Sequence, residues 1–172
     1  MVIIHSKKFI LRPFRKGDET SLMENINNKK IAKNTLTIPY PYKMKDARSW
    51  INHNLKLDKK KKKTEINFAI DIGGKVVGGI GFNKIHGHCA GIEYWLGEKY
   101  WGQGIMTAAV KLVTKYAFEK LGLRRIYAFV FPPNKASAGV LEKAGFKYER
   151  KLRKHVLKEN KFRDGLLFAK IK

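Results

Sequence analysis

The feature that most constrains this chain is a glycine turn between two patterned segments, in the stretch YWGQGIMTAAVKLV (100–113). The residues before the turn predict a strand, and the apolar residues after it recur every three or four positions, which predicts a helix. A turn of this kind presents backbone N–H groups at a helix N-terminus, where the helix dipole favours an anion. The alternative is a tight turn that needs small residues and binds nothing.

Known phosphate-binding loops narrow the choice only in part. The Gly-Lys-Ser/Thr end of a Walker loop is absent, and the dinucleotide fingerprint fails because Thr107 stands where its third glycine is required. The short sequence Gly102-Gln103-Gly104 remains. By itself it leaves both a phosphate site and an ordinary turn open.

The other segments predict an α+β fold. Strands in the middle of the chain, followed by strand–helix–strand, indicate a mixed sheet with helices on its faces. The first segment (8–15) carries Pro13, so it predicts an edge strand or a strand that ends near the proline. The predicted order then continues with a helix opened by Gly17-Asp18 whose stripe reaches Ile31, an extended loop (38–43), a helix (46–55), a hairpin (66–71 and 75–82) and a strand (89–96). It ends with a helix (106–121) capped by Gly122, a strand (125–131), a short helix capped by Asn134, and two final strands that turn near Glu159-Asn160.

Length and composition predict one domain over residues 1–172, since 44% hydrophobic residues suffice for a single core. No apolar run approaches the length of a membrane span, and the first residues do not form a secretory signal. The single cysteine, Cys89, excludes an intrachain disulfide and suits a reducing compartment. We therefore expect a cytoplasmic protein that makes no membrane contact.

The charge is strongly positive: 37 Lys+Arg stand against 14 Asp+Glu, a formal net charge of +23. Such a field attracts nucleic acid, phosphorylated cofactors and acidic protein surfaces. The densest run is Lys59 to Lys63. It indicates either an RNA or ribosome contact or a solvated, self-repelling loop, and the absence of interleaved aromatic residues favours the loop.

Several further motifs stand in order around the glycine turn. They are LRPFRKGDE, TIPYPY, DARSWI, IEYWLGEKYWGQGIMTAAV, NKASAGVLEKAGF and FRDGLLFA. Together they resemble the GNAT acetyltransferase superfamily and, within it, the ribosomal-protein N-terminal (Rim-type) acetyltransferases. The resemblance covers nearly the whole chain.

This resemblance implies a twisted, mostly antiparallel sheet with helices on both faces and one splayed pair of parallel strands, 93–96 and 126–131. Acetyl-CoA would lie in the splay, and no metal is implied. The cofactor-binding residues implied by the resemblance are Trp95 and Leu96 for the pantetheine arm, Gly102, Gln103, Gly104, Ile105, Met106 and Thr107 for the pyrophosphate, and Asn134 and Ser137 near the thioester.

The sequence departs from the family pattern at four positions. Trp101 occupies the usual Arg/Gln position, and Met106 replaces the last Gly/Ala of the turn. The carboxylate of the preceding strand is moved two residues on, to Glu93, which keeps it on the same strand face. Leu141 replaces the tyrosine that many members use as an acid.

Acetyl transfer needs a neutral amine and a proton for the departing thiolate. Glu93 is the candidate base, acting through water, or else an ordinary strand carboxylate. Ser137 is the acid implied by the resemblance, or else a helix serine bonded to backbone, and Tyr94 and Tyr148 are fallback acids. The remaining candidates have simpler interpretations: His86 and His88 as exposed loop residues, Cys89 as a small apolar residue, and Trp50, Tyr40 and Tyr42 as walls of an acceptor pocket or as core.

Three functions follow. The first is acetyl-CoA-dependent acetylation of a protein or peptide α-amine, in particular of a ribosomal protein, by direct attack in a ternary complex. An α-amine has a pKa near ~8, so a weak base is sufficient. The second is acetylation of a polyamine, amino acid or aminoglycoside, and the third is non-catalytic binding of RNA or the ribosome. Whether the protein is a monomer or a homodimer stays open.

Overall fold

A computed structural model describes residues 2–60 and 63–172. The strands are β1 (Ile4–His5), β2 (Ile10–Arg12), β3 (Ile66–Ile72), β4 (Lys75–His86), β5 (Cys89–Leu96), β6 (Arg125–Val130), β7 (Lys147–Lys158) and β8 (Lys161–Ile171). The helices are α1 (Glu19–Ile26), α2 (Lys29–Asn34), α3 (Met44–Asp58), α4 (Ile105–Lys120) and α5 (Lys135–Lys143), with a short 3-10 turn at Glu98–Tyr100.

The strands form one eight-stranded sheet in the order β1-β2-β3-β4-β5-β6-β8-β7. Helices cover both faces, as predicted. On one face α4 and α5 pack through residues such as Val110 and Leu141, and on the other α1 to α3 pack through residues such as Leu22 and Ile51. No helix in the described residues combines the length and apolarity needed to cross a bilayer.

The only parallel pair in the described sheet, β5 with β6, separates after three residues. Cys89 to Gly91 pair with Arg125 to Tyr127, and no pairing follows. Both strands nevertheless continue, because β5 stays paired with β4 as far as Leu96 and β6 stays paired with β8 as far as Val130. The predicted splay is therefore confirmed.

In the N-terminal half, one prediction is confirmed and one is wrong. The first strand ends at Arg12, directly before Pro13, as expected because proline cannot donate to a sheet, and β1 covers its edge. The predicted helix reaching Ile31 is two helices, because Asn28 is extended and its side chain accepts from the amide of Lys30 at 2.8 Å, which starts α2. A continuous apolar stripe could not reveal this cap.

The turns that the sequence predicted are confirmed. Gly73 and Gly74, between β3 and β4, both have positive φ. Glu159 and Asn160 link β7 to β8 with φ of 52° and 56°. These values suit the two-residue hairpin turn that matches the twist of a sheet.

A buried ion network joins the N-terminal elements to the sheet. Arg12 is 4% exposed and donates to Asp71 at 2.6 Å and twice to Asp18 at 2.8 Å. Asp18 also accepts from the amide of Arg15, and Asp71 accepts from that of Gly74. The network thus fixes β2, the start of α1 and the β3–β4 turn against one another.

Replacing Arg12 by Met should lower the free energy of unfolding by about 3–5 kcal/mol, because two buried carboxylates lose their cation. Chemical denaturation measures it. The control is Arg125→Met, which breaks a similarly short pair with Glu149 whose side chains are 29% and 34% exposed. We expect a loss of about 1 kcal/mol or less there. Equal losses in the free energy of unfolding would contradict the conclusion that the Arg12 network stabilises the fold more than the Arg125–Glu149 pair does.

Candidate active site

The separation of β5 and β6 opens a cavity of ≈ 1890 Å³. Its lining comes from both faces of the sheet: from α4 and α5 on one side, and from α2 and α3 on the other. Pockets for one drug-sized ligand are about 300–1,000 Å³. The cavity therefore has room for two substrates that approach from opposite faces of the sheet.

The glycine turn forms one end of this cavity. Gly102 and Gly104 have φ of +73° and +75°, and Gly104 starts α4 without a side-chain cap. The first amide of the helix with a partner is that of Ala108, which donates to the carbonyl of Gly104 at 3.0 Å. The amides of residues 102–107 donate to no other described residue, so their N–H groups remain for an anion. Of these six residues, all but Gln103 line the cavity.

The two glycines are required by their backbone conformation. A Cβ added at Gly102 or Gly104 would meet no protein atom within 4 Å, so the protein itself does not crowd these positions. The constraint that the structure shows is the positive φ, which residues with a side chain rarely adopt. The space beside both glycines is open cavity.

The Gln103 amide is directed away from the open side of the turn. Its side-chain Nε2 donates to the backbone carbonyl of Lys99 at 2.9 Å. The backbone carbonyl of Gln103 accepts from Lys8 Nζ at 3.2 Å. Lys8 therefore brings a cation to the turn. Sequence reasoning missed it, since nothing near Lys8 in the chain signals a distant loop.

Along β5, the backbone of Leu96 faces the gap. Gly97 donates to Val77 of β4 at 2.8 Å, and alternation directs the peptide groups of Leu96 to the other side. Trp101 Nε1 donates to the Leu96 carbonyl there, at 2.7 Å. The Trp95 carbonyl is directed towards β4, 2.7 Å from where a Cβ of Gly78 would lie. Of the predicted pair, Leu96 thus offers the backbone edge.

Ser137 and Tyr94 are brought together across the gap. Their hydroxyl oxygens are 2.8 Å apart, and Tyr94 Oη is also 3.2 Å from the Ser137 carbonyl. Asn134 caps α5 as predicted, since its side chain accepts from the Ser137 amide at 3.2 Å. Burial raises the pKa of Tyr94 to about 12, so this phenol keeps its proton at neutral pH.

Glu93 lies on the other face of β5, in a pocket with a second carboxylate. Asn83, Glu65 and Lys84 lie close enough to influence the charge of Glu93. Glu65 accepts from Asn67 at 2.6 Å and lies 3.1 Å from His53 Nε2. The Glu93 side chain is exposed to the open cavity, but partial desolvation raises its pKa above the ordinary value; Glu65 adds to the rise, whereas Asn83 and Lys84 oppose it.

The two candidate catalytic residues therefore lie on opposite faces of one strand. Trp95, which shares the face of Glu93, packs with the α1–α3 core, whereas Tyr94 packs with the α4–α5 core. Both Glu93 and Ser137 line the cavity, which connects the two faces where β6 has moved away. A reaction between groups entering from each face would take place between them.

Other candidates fall outside this cavity. His86, His88, Cys89, Tyr148 and Tyr40 do not line it, whereas Trp50 and the buried Tyr42 do. Residues that sequence reasoning missed also line it: His53, Glu65, Lys111 and Lys135. Among the described residues, no group of three or more His, Cys, Asp or Glu side chains is arranged to hold a metal ion.

The β7–β8 hairpin bridges the side of the cavity that α2 and α3 line. Lys158 of β7 donates to the carbonyls of Ala32, Lys33 and Thr35 at the end of α2. A lysine at this position satisfies carbonyls that the helix leaves unpaired and suits its dipole. The first and last thirds of the chain are thereby joined around the cavity.

The fold is a mixed sheet with helices on both faces. Its splayed parallel pair, together with the unpaired amides at the start of the following helix, is the arrangement of transferases that use acyl-CoA. The family model of the acetyltransferase (GNAT) domain matches residues 8–147. The chain belongs to this family, and the resemblance to its Rim-type branch is confirmed by the relatives below.

Three curated relatives illustrate the similarity. A probable N-acetyltransferase, YjcK of Bacillus subtilis, is 54% identical over 65 residues, which are 38% of this chain and 36% of that protein. The uncharacterized N-acetyltransferase p20 of Bacillus licheniformis is 26% identical over 100% of this chain and 97% of its own length. The ribosomal protein uS5-alanine N-acetyltransferase of Escherichia coli is 30% identical over 48% of this chain and 42% of its own.

Two solved structures share the fold. Mycobacterium smegmatis RimJ in complex with CoA-disulfide is 28% identical, with a TM-score of 0.83 over 95% of this chain and 81% of that one. RimL, a ribosomal L7/L12 alpha-N-protein acetyltransferase in complex with coenzyme A, is 23% identical, with a TM-score of 0.88 over 99% and 98%.

The residues present fit acetyl-CoA. Six unpaired amides at the start of α4 suit its pyrophosphate, and the free edge of Leu96 suits its amide-containing arm. Lys111 and Lys135 add cations to the same cavity wall.

Replacing Gly104 by Ala should weaken coenzyme A binding about tenfold or more, because a side chain would enter the cavity beside the free amides. Calorimetric titration measures it. Gly87→Ala is the matched control: Gly87 also has positive φ (+55°) and open space around it, but it lies in the β4–β5 turn outside the cavity. Both variants should lose about 1–2 kcal/mol of stability. Unchanged coenzyme A affinity in Gly104→Ala would contradict the site.

Proposed function

We propose that this protein is an acetyl-CoA-dependent N-acetyltransferase that acts on the N-terminal α-amine of a protein or peptide, in particular a ribosomal protein. The observation that carries the proposal is the cavity through the sheet, with free amides on one face and the Glu93 carboxylate on the other. The ribosomal-protein acetyltransferase among the relatives supports the acceptor class and a cytoplasmic site of action.

Acetyl-CoA, when bound, supplies the activated acetyl group. On the opposite face, Glu93 and Glu65 attract the acceptor's ammonium, and Glu93 takes its proton through water. The raised pKa makes Glu93 a better base than an ordinary carboxylate. A weak base is sufficient here, because an α-amine with a pKa near ~8 is already partly neutral at physiological pH. Holding the amine beside the acetyl group in a ternary complex provides much of the acceleration.

Ser137 and Tyr94 serve the departing sulfur. The hydroxyl of Ser137 lies at the cavity wall and can give its proton, while Tyr94, 2.8 Å away, replaces that proton or holds the serine in position. Because Tyr94 has a pKa of about 12, the pair stays fully protonated through the physiological range.

Changing Glu93 to Gln should lower kcat/KM for N-terminal peptides at least tenfold near neutral pH. In the unchanged protein, kcat/KM should fall as the pH drops through the raised pKa of Glu93, because the protonated carboxyl cannot accept a proton. Steady-state thiol release from acetyl-CoA, measured across pH, gives both results.

The control for this change is Glu119→Gln, at an exposed carboxylate on α4 paired with Lys115. It should leave both the rate and the pH profile unchanged. The acceptor's own α-amine, with a pKa near ~8, contributes an acidic limb in both proteins, so the test is the change in the profile between them. An acidic limb that is identical in the unchanged protein and in Glu93→Gln would show that Glu93 is not the titrating base.

Ser137→Ala should reduce kcat by about 10²-fold or more, as the loss of a positioned acid does. Tyr94→Phe should reduce it less, and the double variant should be no slower than Ser137→Ala, because Tyr94 acts through the serine. Single-turnover rates at saturating acetyl-CoA measure the cycle. Additive losses would show that the two hydroxyls act independently.

A small cationic amine is the second candidate, because Glu93 and Glu65 place two carboxylates together in the pocket, with Lys84 nearby, in a chain of net charge +23. An acetyl-CoA turnover screen against N-terminal peptides, lysine peptides and polyamines separates the two. The proposal predicts the highest kcat/KM for N-terminal peptides. Higher kcat/KM for spermidine would reverse the assignment, and no turnover with any amine would remove it.

A further inference from the structure

A basic groove follows the outer face of α3 next to the acceptor side of the cavity. It has a volume of ≈ 630 Å³ and is lined by Lys45, Arg48, Ser49, Asn52, His53 and Lys56. All six residues are exposed. Their spacing of three and four residues places them on one face of the helix, about 16 Å long at 1.5 Å per residue.

The cations of this groove are not neutralised by the protein. Among residues 2–60 and 63–172, no carboxylate forms a salt bridge with Lys45, Arg48 or Lys56. The acids of α3 are used elsewhere: Asp46 accepts from the amide of Lys43, and Asp58 is 3.4 Å from Lys63. The groove therefore presents unpaired positive charge.

The groove is continuous with the acceptor pocket. Ser49 and His53 line both the groove and the large cavity, and His53 is the residue that contacts Glu65. A chain whose amino group lies at Glu93 can thus leave the cavity past His53 and run along α3. At about 3.3 Å per extended residue, the groove spans about five residues.

Building on the proposed function, we infer that the acceptor is a peptide whose N-terminal amine is followed by acidic residues, which bind the α3 groove. The charges of the site then follow the order of the charges along the peptide. The carboxylates bind the N-terminal ammonium, and the cations of the groove bind the acidic side chains that follow it. The overall charge of +23 would also speed the encounter with an acidic protein.

The same cations could contact RNA, but the groove favours a peptide. Single-stranded nucleic acid is bound largely by stacking on aromatic side chains, and the groove lining includes no Phe, Tyr or Trp. The groove also opens into the pocket proposed for the amine, a connection that RNA binding would not require. Of the lysine run, Lys61 and Lys62 lie outside the described residues, and the inference does not use them.

The test is kcat/KM for a set of peptides with the same first residue, followed by Asp/Glu, Asn/Gln or Lys. We expect the acidic series to exceed the amide series at least tenfold at low ionic strength, chiefly through KM, and the advantage to shrink as salt is raised. Mass spectrometry confirms that the α-amine is the acetylated group.

The variant K45Q/R48Q/K56Q should remove most of the acidic advantage and leave kcat for the amide series unchanged. The matched control is K75Q/K120Q/K147Q, which removes three exposed positive charges outside both cavities. It should keep the preference, so a loss in both variants would assign the effect to net charge and overturn the groove.

Equal kcat/KM for all three series would overturn the inference and leave the proposed function intact. No acetylation of any peptide would overturn both. A groove variant that loses affinity for a single-stranded RNA oligonucleotide but not the peptide preference would assign the groove to nucleic acid instead.

Discussion

The separation of β5 from β6 is the constraint on which the site depends. Parallel pairing ends at Gly91 and Tyr127, yet each strand is kept extended by its outer neighbour. Each strand therefore keeps its hydrogen bonds to its outer neighbour, β5 to β4 and β6 to β8, while the edges that face the gap are not paired with each other. α4 begins at this gap, and its unpaired amides open onto the same cavity. Cofactor site and acceptor site are thus two faces of one opening.

Electrostatics divides the acceptor side into two regions of opposite sign. In a chain of net charge +23, Glu65 and Glu93 are neighbours inside the cavity, and desolvation together with the nearby Glu65 charge raises the pKa of Glu93. Immediately outside, the α3 groove is lined by three cations, Lys45, Arg48 and Lys56, and among the described residues by no carboxylate. A substrate with an ammonium followed by carboxylates matches this order, whereas a polycation fits the inner region and is repelled by the outer one.

The sequence was most informative where local chemistry decides the structure. Positive φ at Gly102 and Gly104, the Asn134 cap and the hairpin turns were predictable, because each depends on residues adjacent in the chain. The contacts of Lys8, His53 and Lys158 were not, since their partners are distant in sequence. The same limit hid the Tyr94–Ser137 pair: each residue was a candidate by itself, but only the fold brings them to 2.8 Å.

The most direct test is a crystal structure with a bisubstrate conjugate that joins coenzyme A to the amino group of an acidic N-terminal peptide. The account predicts the pyrophosphate on the amides of residues 102–107, the linkage between Ser137 and Glu93, and the peptide leaving along α3. A conjugate whose peptide lies on the α4–α5 face, or whose pyrophosphate avoids the glycine turn, would contradict it.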